Sequence, residues 1–222
     1  MALITASQSV RGDEAAVIDE WGETTWSQLD ARVNRLIHHL RGAGVEPDDR
    51  VALLSGNRRE IEEVYLACSH AGWHCVPINW HFAADEVAYV LADSGATALI
   101  ASSEFGRLAY DALGLEPESA PLVRLVMDAR EGDRETVPDV ADRRVTSYEA
   151  ALAAADPSEP EGQMLGGVMF YTSGTTGRPK GVRNTSFQVD TPVEVLQLMA
   201  ASIDGMGIPK DGRTLLCGPQ YH

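Results

Sequence analysis

The stretch RVALLSGNRREIEEVYLACSHAGWHCVPIN, Arg50 to Asn79, decides the fold. Arg50 to Ser55 opens it as a short apolar run without polar alternation, the signature of a strand buried on both faces. Ile61, Val64, Tyr65 and Cys68 then recur at helical spacing, and Gly72 closes that helix. A second apolar run, HCVPIN from His74, follows at once. Strand, helix and strand in so short a span mark a unit of a parallel sheet.

The pattern extends both ways. Upstream, Leu29, Val33, Leu36, Ile37 and Leu40 form one helix face, with Ser27 as the expected N-cap and Gly42 and Gly44 as the stop. Downstream, ADEVAYVLADSGA predicts a helix with Val87, Val90 and Leu91 inward and Gly95 at its end, and TALIAS predicts a strand. EFGRLAYDALG reads as a weaker helix, PLVRLVMD as a strand, and TSYEAALAAA as a short helix starting at Thr146 or Ser147. The expected fold class is α/β, a mostly parallel sheet with helices on both faces. Residues 129–144 are charged and aperiodic, as in a surface connection, and DPSEPEG, Asp156 to Gly162, reads as a boundary loop. Two units are therefore expected, an α/β subdomain over 1–162 and the start of a second over 163–222.

Composition narrows the function. The net charge of −15 opposes encounter with a polyanion, so neither nucleic acid nor an anionic membrane is an expected partner. The three cysteines Cys68, Cys75 and Cys217 have no zinc-like spacing. His70 and His74 lie close to Cys68 and Cys75, but Gly72 interrupts the helix that would align them, so packed thiols and imidazoles are the simpler reading. Tryptophans Trp21, Trp26, Trp73 and Trp80 read as core or pocket wall. The N-terminus lacks a basic region followed by an apolar core, and no window is apolar enough to span a bilayer, which makes the cytoplasm the expected compartment.

The chemistry concentrates in VMFYTSGTTGRPKGV, Val168 to Val182. A strand candidate, GGVMFYTS, leads into a loop whose glycines let successive N–H groups turn toward an anion. Ser173, Thr175 and Thr176 add hydroxyl donors and Lys180 a point charge suited to phosphate. It is not a Walker A loop, because Lys180 is followed by Gly181 rather than Ser or Thr. Pro179 and Gly181 disfavour a helix after it, so a strand–loop–strand arrangement is predicted.

YTSGTTGRPKGV resembles the phosphate-binding signature of the adenylate-forming superfamily, which includes acyl-CoA synthetases, peptide-synthetase adenylation domains and luciferases. TTWSQLDARVNRLIHHLRGAGVEPDDRVALLSGN, YLACSHAGWHCVPINWHFAADEVAYVLADSGATALIAS and the terminal LLCGPQYH are similar to flanking blocks of that superfamily, in order. The resemblance covers Thr24 to His222 and leans toward fatty or aryl acyl-CoA synthetases. It implies a ligase in which a carboxylate attacks the α-phosphorus of Mg·ATP, pyrophosphate leaves, and coenzyme A takes the acyl group from the adenylate. By that resemblance Thr172, Ser173, Gly174, Thr175, Thr176 and Gly177 wrap the β- and γ-phosphates, Lys180 neutralises them, Thr176 approaches Mg²⁺, and His222 gates the acyl pocket. Thr176 and Lys180 are the catalytic candidates. VRNTSF departs from the Thr-His or Ser-His pair common after the signature, and Asn79 stands where an aspartate is common. Family enzymes run to more than twice this length, so an N-terminal fragment, inactive alone and self-associating, is expected. The residues by themselves leave open a non-catalytic phosphate-binding paralogue or an α/β interaction domain.

Overall fold

The computed structural model describes residues 8–130, 145–172, 178–183 and 212–221. An antiparallel hairpin, β1 (Ala15–Asp19) and β2 (Gly22–Thr25), leads into α1 (Trp26–Gly42). Then follow β3 (Arg50–Leu54), α2 (Glu60–Ala71), β4 (His74–Pro77), α3 (Ala84–Ser94), β5 (Ala98–Ser102), α4 (Gly106–Leu115) and β6 (Val123–Met127). After them come β7 (Val145–Ser147), α5 (Tyr148–Ala153), β8 (Gly167–Thr172) and β9 (Lys180–Arg183).

Seven strands form one sheet in the order β7-β6-β5-β3-β4-β8-β9, parallel except for β9, which runs antiparallel to β8. This is the predicted α/β class. The apolar runs do not alternate because both sheet faces are covered. Val51, Leu53, Cys75, Ala98 and Ile100 point into a core shared with α1, α2 and α5. Their neighbours Ala52, Leu54, Val76, Leu99 and Ala101 point into a second core with α3 and α4. Burial of each large aliphatic side chain contributes about 1.5–3 kcal/mol, and Leu36, Ile37, Leu40, Leu54 and Ile100 are all fully enclosed.

The helix stops fall where glycine permits them: Gly72 (φ 76°) and Gly95 (φ 61°) cap α2 and α3 in the left-handed region. The N-cap of α1 is a correction. It is Thr25, not Ser27, because β2 keeps the backbone extended through Thr25 (ψ 165°). Gln28 N donates to Thr25 Oγ1 at 3.2 Å and Thr25 N donates to Gln28 Oε1 at 2.9 Å, closing a capping box. Ser147 caps α5, its Oγ accepting from Ala150 N at 3.2 Å.

Cys68 and Cys75 are buried free thiols, and no group of metal-ligating side chains occurs among the described residues. His74 is turned away from any such group, its Nε2 lying 2.9 Å from Asp48 Oδ1. Among the described residues no helix is long and apolar enough to cross a membrane.

Two polar networks fasten the helical layer over the first core. Arg32 Nε donates to Glu63 Oε1 at 2.6 Å, its Nη2 to Glu149 Oε1 at 2.5 Å, and Tyr148 Oη donates to Glu63 Oε2 at 2.8 Å, linking α1, α2 and α5. Arg130 joins the β1–β2 hairpin to the start of α2 through Asp19 at 2.7 Å and Glu60 at 2.5 Å, while Arg58 reaches Glu60 at 3.0 Å. Burial alone would raise the Glu60 carboxyl, but hydrogen bonds and charge from Arg58 and Arg130 outweigh it and hold the group at about 2.

Candidate functional site

The strand that carries the signature is placed by glycines. At Gly166 a Cβ would overlap the carbonyl oxygens of Cys68 and Trp73, so only glycine lets the chain pass the end of α2. Gly166 N donates to Ser69 O at 3.0 Å and Gly167 N to Trp73 O at 2.9 Å. From there β8 lies parallel to β4 over only the pairs His74↔Gly167 and Cys75↔Val168. Its remaining residues pair instead with β9, in the register Met169↔Arg183, Phe170↔Val182, Tyr171↔Gly181 and Thr172↔Lys180.

The predicted strand–loop–strand arrangement is therefore present, with Thr172 and Lys180 as opposed exposed residues at its mouth. Ser173, Gly174, Thr175, Thr176, Gly177 and His222 lie outside the described residues. Between 178 and 183 the sequence carries Arg178, Lys180 and Arg183 and no acid, in a chain of net charge −15. Arg183 is engaged with Asp48 at 3.1 Å, and the Arg178 guanidinium stands 4.8 Å from the centroid of the Tyr89 ring. Among the described residues Lys180 has no carboxylate partner. An exposed ammonium opposite a threonine hydroxyl suits a phosphate group, which accepts from both. Among the described residues no group of three or more His, Cys, Asp or Glu side chains is placed to hold a metal ion.

The mouth opens at the carboxyl edge of the sheet. An open parallel sheet usually binds ligands at this edge, in the crevice where connections leave adjacent strands in opposite directions. Here those strands are β3 and β5, and the crevice is closed by the protein itself. Gly56 N donates to Glu104 Oε1 at 3.2 Å, as does Ser102 Oγ at 3.2 Å. A Cβ at Gly56 would stand 2.5 Å from the same oxygen.

Sequence reasoning missed the side chains that furnish this edge. Asn57, just past β3, donates from Nδ2 to Gly218 O at 2.8 Å and accepts at Oδ1 from Gln220 N at 3.1 Å. Tyr65 Oη adds a bond to Gln220 O at 2.6 Å. These contacts seat Tyr221 edge-on to Trp80, with ring centroids 6.0 Å apart, and Trp80 stacks on Phe105 at 5.6 Å. Trp80 was expected in a core or pocket wall and lies in an aromatic wall. The only advance signal for Asn57 was its place in SGN directly after a buried strand. Asn79 caps the turn after β4, accepting at Oδ1 from His81 N at 2.9 Å, a task an aspartate would perform equally.

Residues 4–222 match the family model described as AMP-binding enzyme. This chain belongs to that family. Among curated AMP-binding enzymes it is 33% identical over 172 residues to the 3-oxocholest-4-en-26-oate–CoA ligase of Rhodococcus rhodochrous, covering 77% of this chain and 30% of that enzyme. It is 36% identical over 203 residues to the feruloyl-CoA synthase of an Amycolatopsis species, covering 89% of this chain and 34% of that one. Among solved structures, the inhibitor-bound N-terminal domain of FACL13 from Mycobacterium tuberculosis superposes with a TM-score of 0.68 at 26% identity, covering 99% of this chain and 50% of that one. The chain thus spans about a third of the length of the curated relatives it matches.

Proposed function

We propose that this chain is the phosphate-gripping N-terminal part of an ATP-dependent acid–thiol ligase that converts a fatty or aryl carboxylic acid to its acyl-adenylate and then to its coenzyme A thioester. The observation that carries this reading is the Thr172↔Lys180 register: it sets a cation without a carboxylate partner among the described residues across from a hydroxyl at the carboxyl edge of the sheet. The CoA-ligase names of the relatives support it.

In the first step a carboxylate oxygen bonds to the α-phosphorus of ATP while the bond to the β-phosphate oxygen breaks. Negative charge accumulates on departing pyrophosphate, and neutralising it is what a fixed cation at the loop contributes. Lys180 takes that role, and Thr172 with Ser173, Gly174, Thr175, Thr176 and Gly177 supplies donors to the β- and γ-phosphate oxygens. Thr176 is the candidate for Mg²⁺ contact. His222, next to the seated Tyr221, gates the acyl pocket. Residues 163–222 begin a second subdomain in this reading, the chain alone does not turn over, and the enzyme works in the cytoplasm.

The test is acid-dependent ATP–pyrophosphate exchange by the full-length protein over a panel of fatty and aryl acids. Exchange with at least one acid is expected, reduced by about tenfold to a hundredfold in Lys180→Ala. Absence of exchange with every acid would overturn the ligase reading. Unchanged kinetics in Lys180→Ala would overturn the role of that residue.

A further inference from the structure

Both flanks of the signature loop are tied to the same turn of α3. On the incoming side, Tyr171 Oη donates to Asp93 Oδ2 at 2.7 Å. On the outgoing side, the Arg178 guanidinium lies over the Tyr89 ring at 4.8 Å. The two anchors are themselves joined, Tyr89 Oη donating to Asp93 Oδ1 at 3.3 Å across one helical turn. Burial, then the adjacent Asp93 carboxylate, push the Tyr171 phenol up, so it remains a proton donor at neutral pH.

Gly181 belongs to the same device. It pairs with Tyr171 across the hairpin, and a Cβ there would overlap Met169 Cε and stand 3.1 Å from Tyr171 Cζ. Its lack of a side chain leaves room for the tyrosine ring on that face. Lys180 sits between Gly181 and Pro179, so its position follows from the contacts that hold Tyr171 and Arg178.

We infer that Tyr89 and Asp93 of α3 are positioning residues that set the Thr172–Lys180 mouth for the phosphates of ATP. The inference rests on the phosphate role proposed for Lys180. An exposed cation–π contact or charge-assisted hydrogen bond of this kind changes an equilibrium by about threefold to tenfold. The hydrogen bonds and ring contacts of Tyr89 and Asp93 among the described residues run to each other, Tyr171 and Arg178, and not to the Trp80–Phe105–Tyr221 wall or either polar network of the first core, so their loss should be felt at the phosphate site.

The experiment measures ATP–pyrophosphate exchange and the thermal midpoint of the full-length protein in Tyr89→Leu, Tyr89→Phe, Asp93→Ala and, in parallel, Lys180→Ala. Tyr89→Leu and Asp93→Ala are expected to raise KM for ATP about threefold to tenfold, leaving KM for the acid and the thermal midpoint unchanged. Tyr89→Phe, which keeps the ring under Arg178, should stay within about twofold of the parent. The inference is overturned if KM for ATP is unchanged in Tyr89→Leu and Asp93→Ala while Lys180→Ala still raises it. It is equally overturned if both KM values and the thermal midpoint shift together. No effect of Lys180→Ala would instead remove the phosphate role beneath it.

Discussion

At the scale of single residues, the sharpest constraint is Gly166. Its missing side chain faces backbone carbonyls of Cys68 and Trp73, which cannot swing aside as a side chain would. Gly166→Ala should therefore cost about 3 kcal/mol, seen as a lowered denaturation midpoint at unchanged slope. His70 supplies a pH test. It is only 2% exposed, and burial lowers its imidazole to about 3. Unfolded, it titrates near 6.5, so between about 6.5 and 3 the unfolded chain binds a proton that the folded chain does not. Its contribution is thus complete above pH 6.5 and is lost as pH falls toward 3. Thermal midpoints should drop on acidification through that window, and His70→Leu should flatten the slope. The strand–loop–strand setting of Lys180 was legible because Pro179 and Gly181 disfavour a helix there. Asn57 and Glu104 were not, because what they do depends on strands distant in sequence meeting at one edge.

At the scale of elements, local signals read well where backbone conformation demanded one residue. Gly72 and Gly95 ended their helices as predicted, since left-handed backbone excludes most other types. The start of α1 was placed too late because β2, GETT, carries no apolar alternation that would reveal a strand running into the helix. The β1–β2 hairpin and the three-residue β7 escaped for the same reason: pairing partners, not periodicity, define them. Thr25→Ala should remove the capping box and cost about 1 kcal/mol, whereas Ser27→Ala should leave stability within about 0.5 kcal/mol of the parent. Paired urea denaturations of the two variants check which residue is the cap.

For the whole molecule, the fold class followed from repetition of one pattern, and continuous apolar strands correctly implied cover on both faces. What the sequence did not show is that the paired strands β8 and β9 also leave apolar side chains open. Phe170 and Val182, directly paired across β8 and β9, are 36% and 53% exposed, and Leu215 and Leu216 are 84% and 57% exposed. Exposed apolar side chains on an edge hairpin, with further ones at Leu215 and Leu216 beside Val17 and Ile18, favour association. Residues 1–222 expressed alone should therefore self-associate at micromolar concentration, and Phe170→Lys with Val182→Lys should shift the population toward monomer in light scattering. A monodisperse monomer of the unmodified chain would count against this.

The short bonding of β8 to β4 has a mechanical meaning. Two rungs clamp its root, and Met169 to Thr172 project beyond them, braced among the described residues by β9, by α3 and by the packing of Met169 and Tyr171 on the second core. That overhang is a cantilever about 13 Å long, so a rotation of about 10° at the root carries the tip about 2 Å. A displacement of that size separates a made hydrogen bond from a broken one. Stiffness at the clamp and at the α3 strut, rather than the chemistry of the lysine, then sets how sharply the tip can aim its charge.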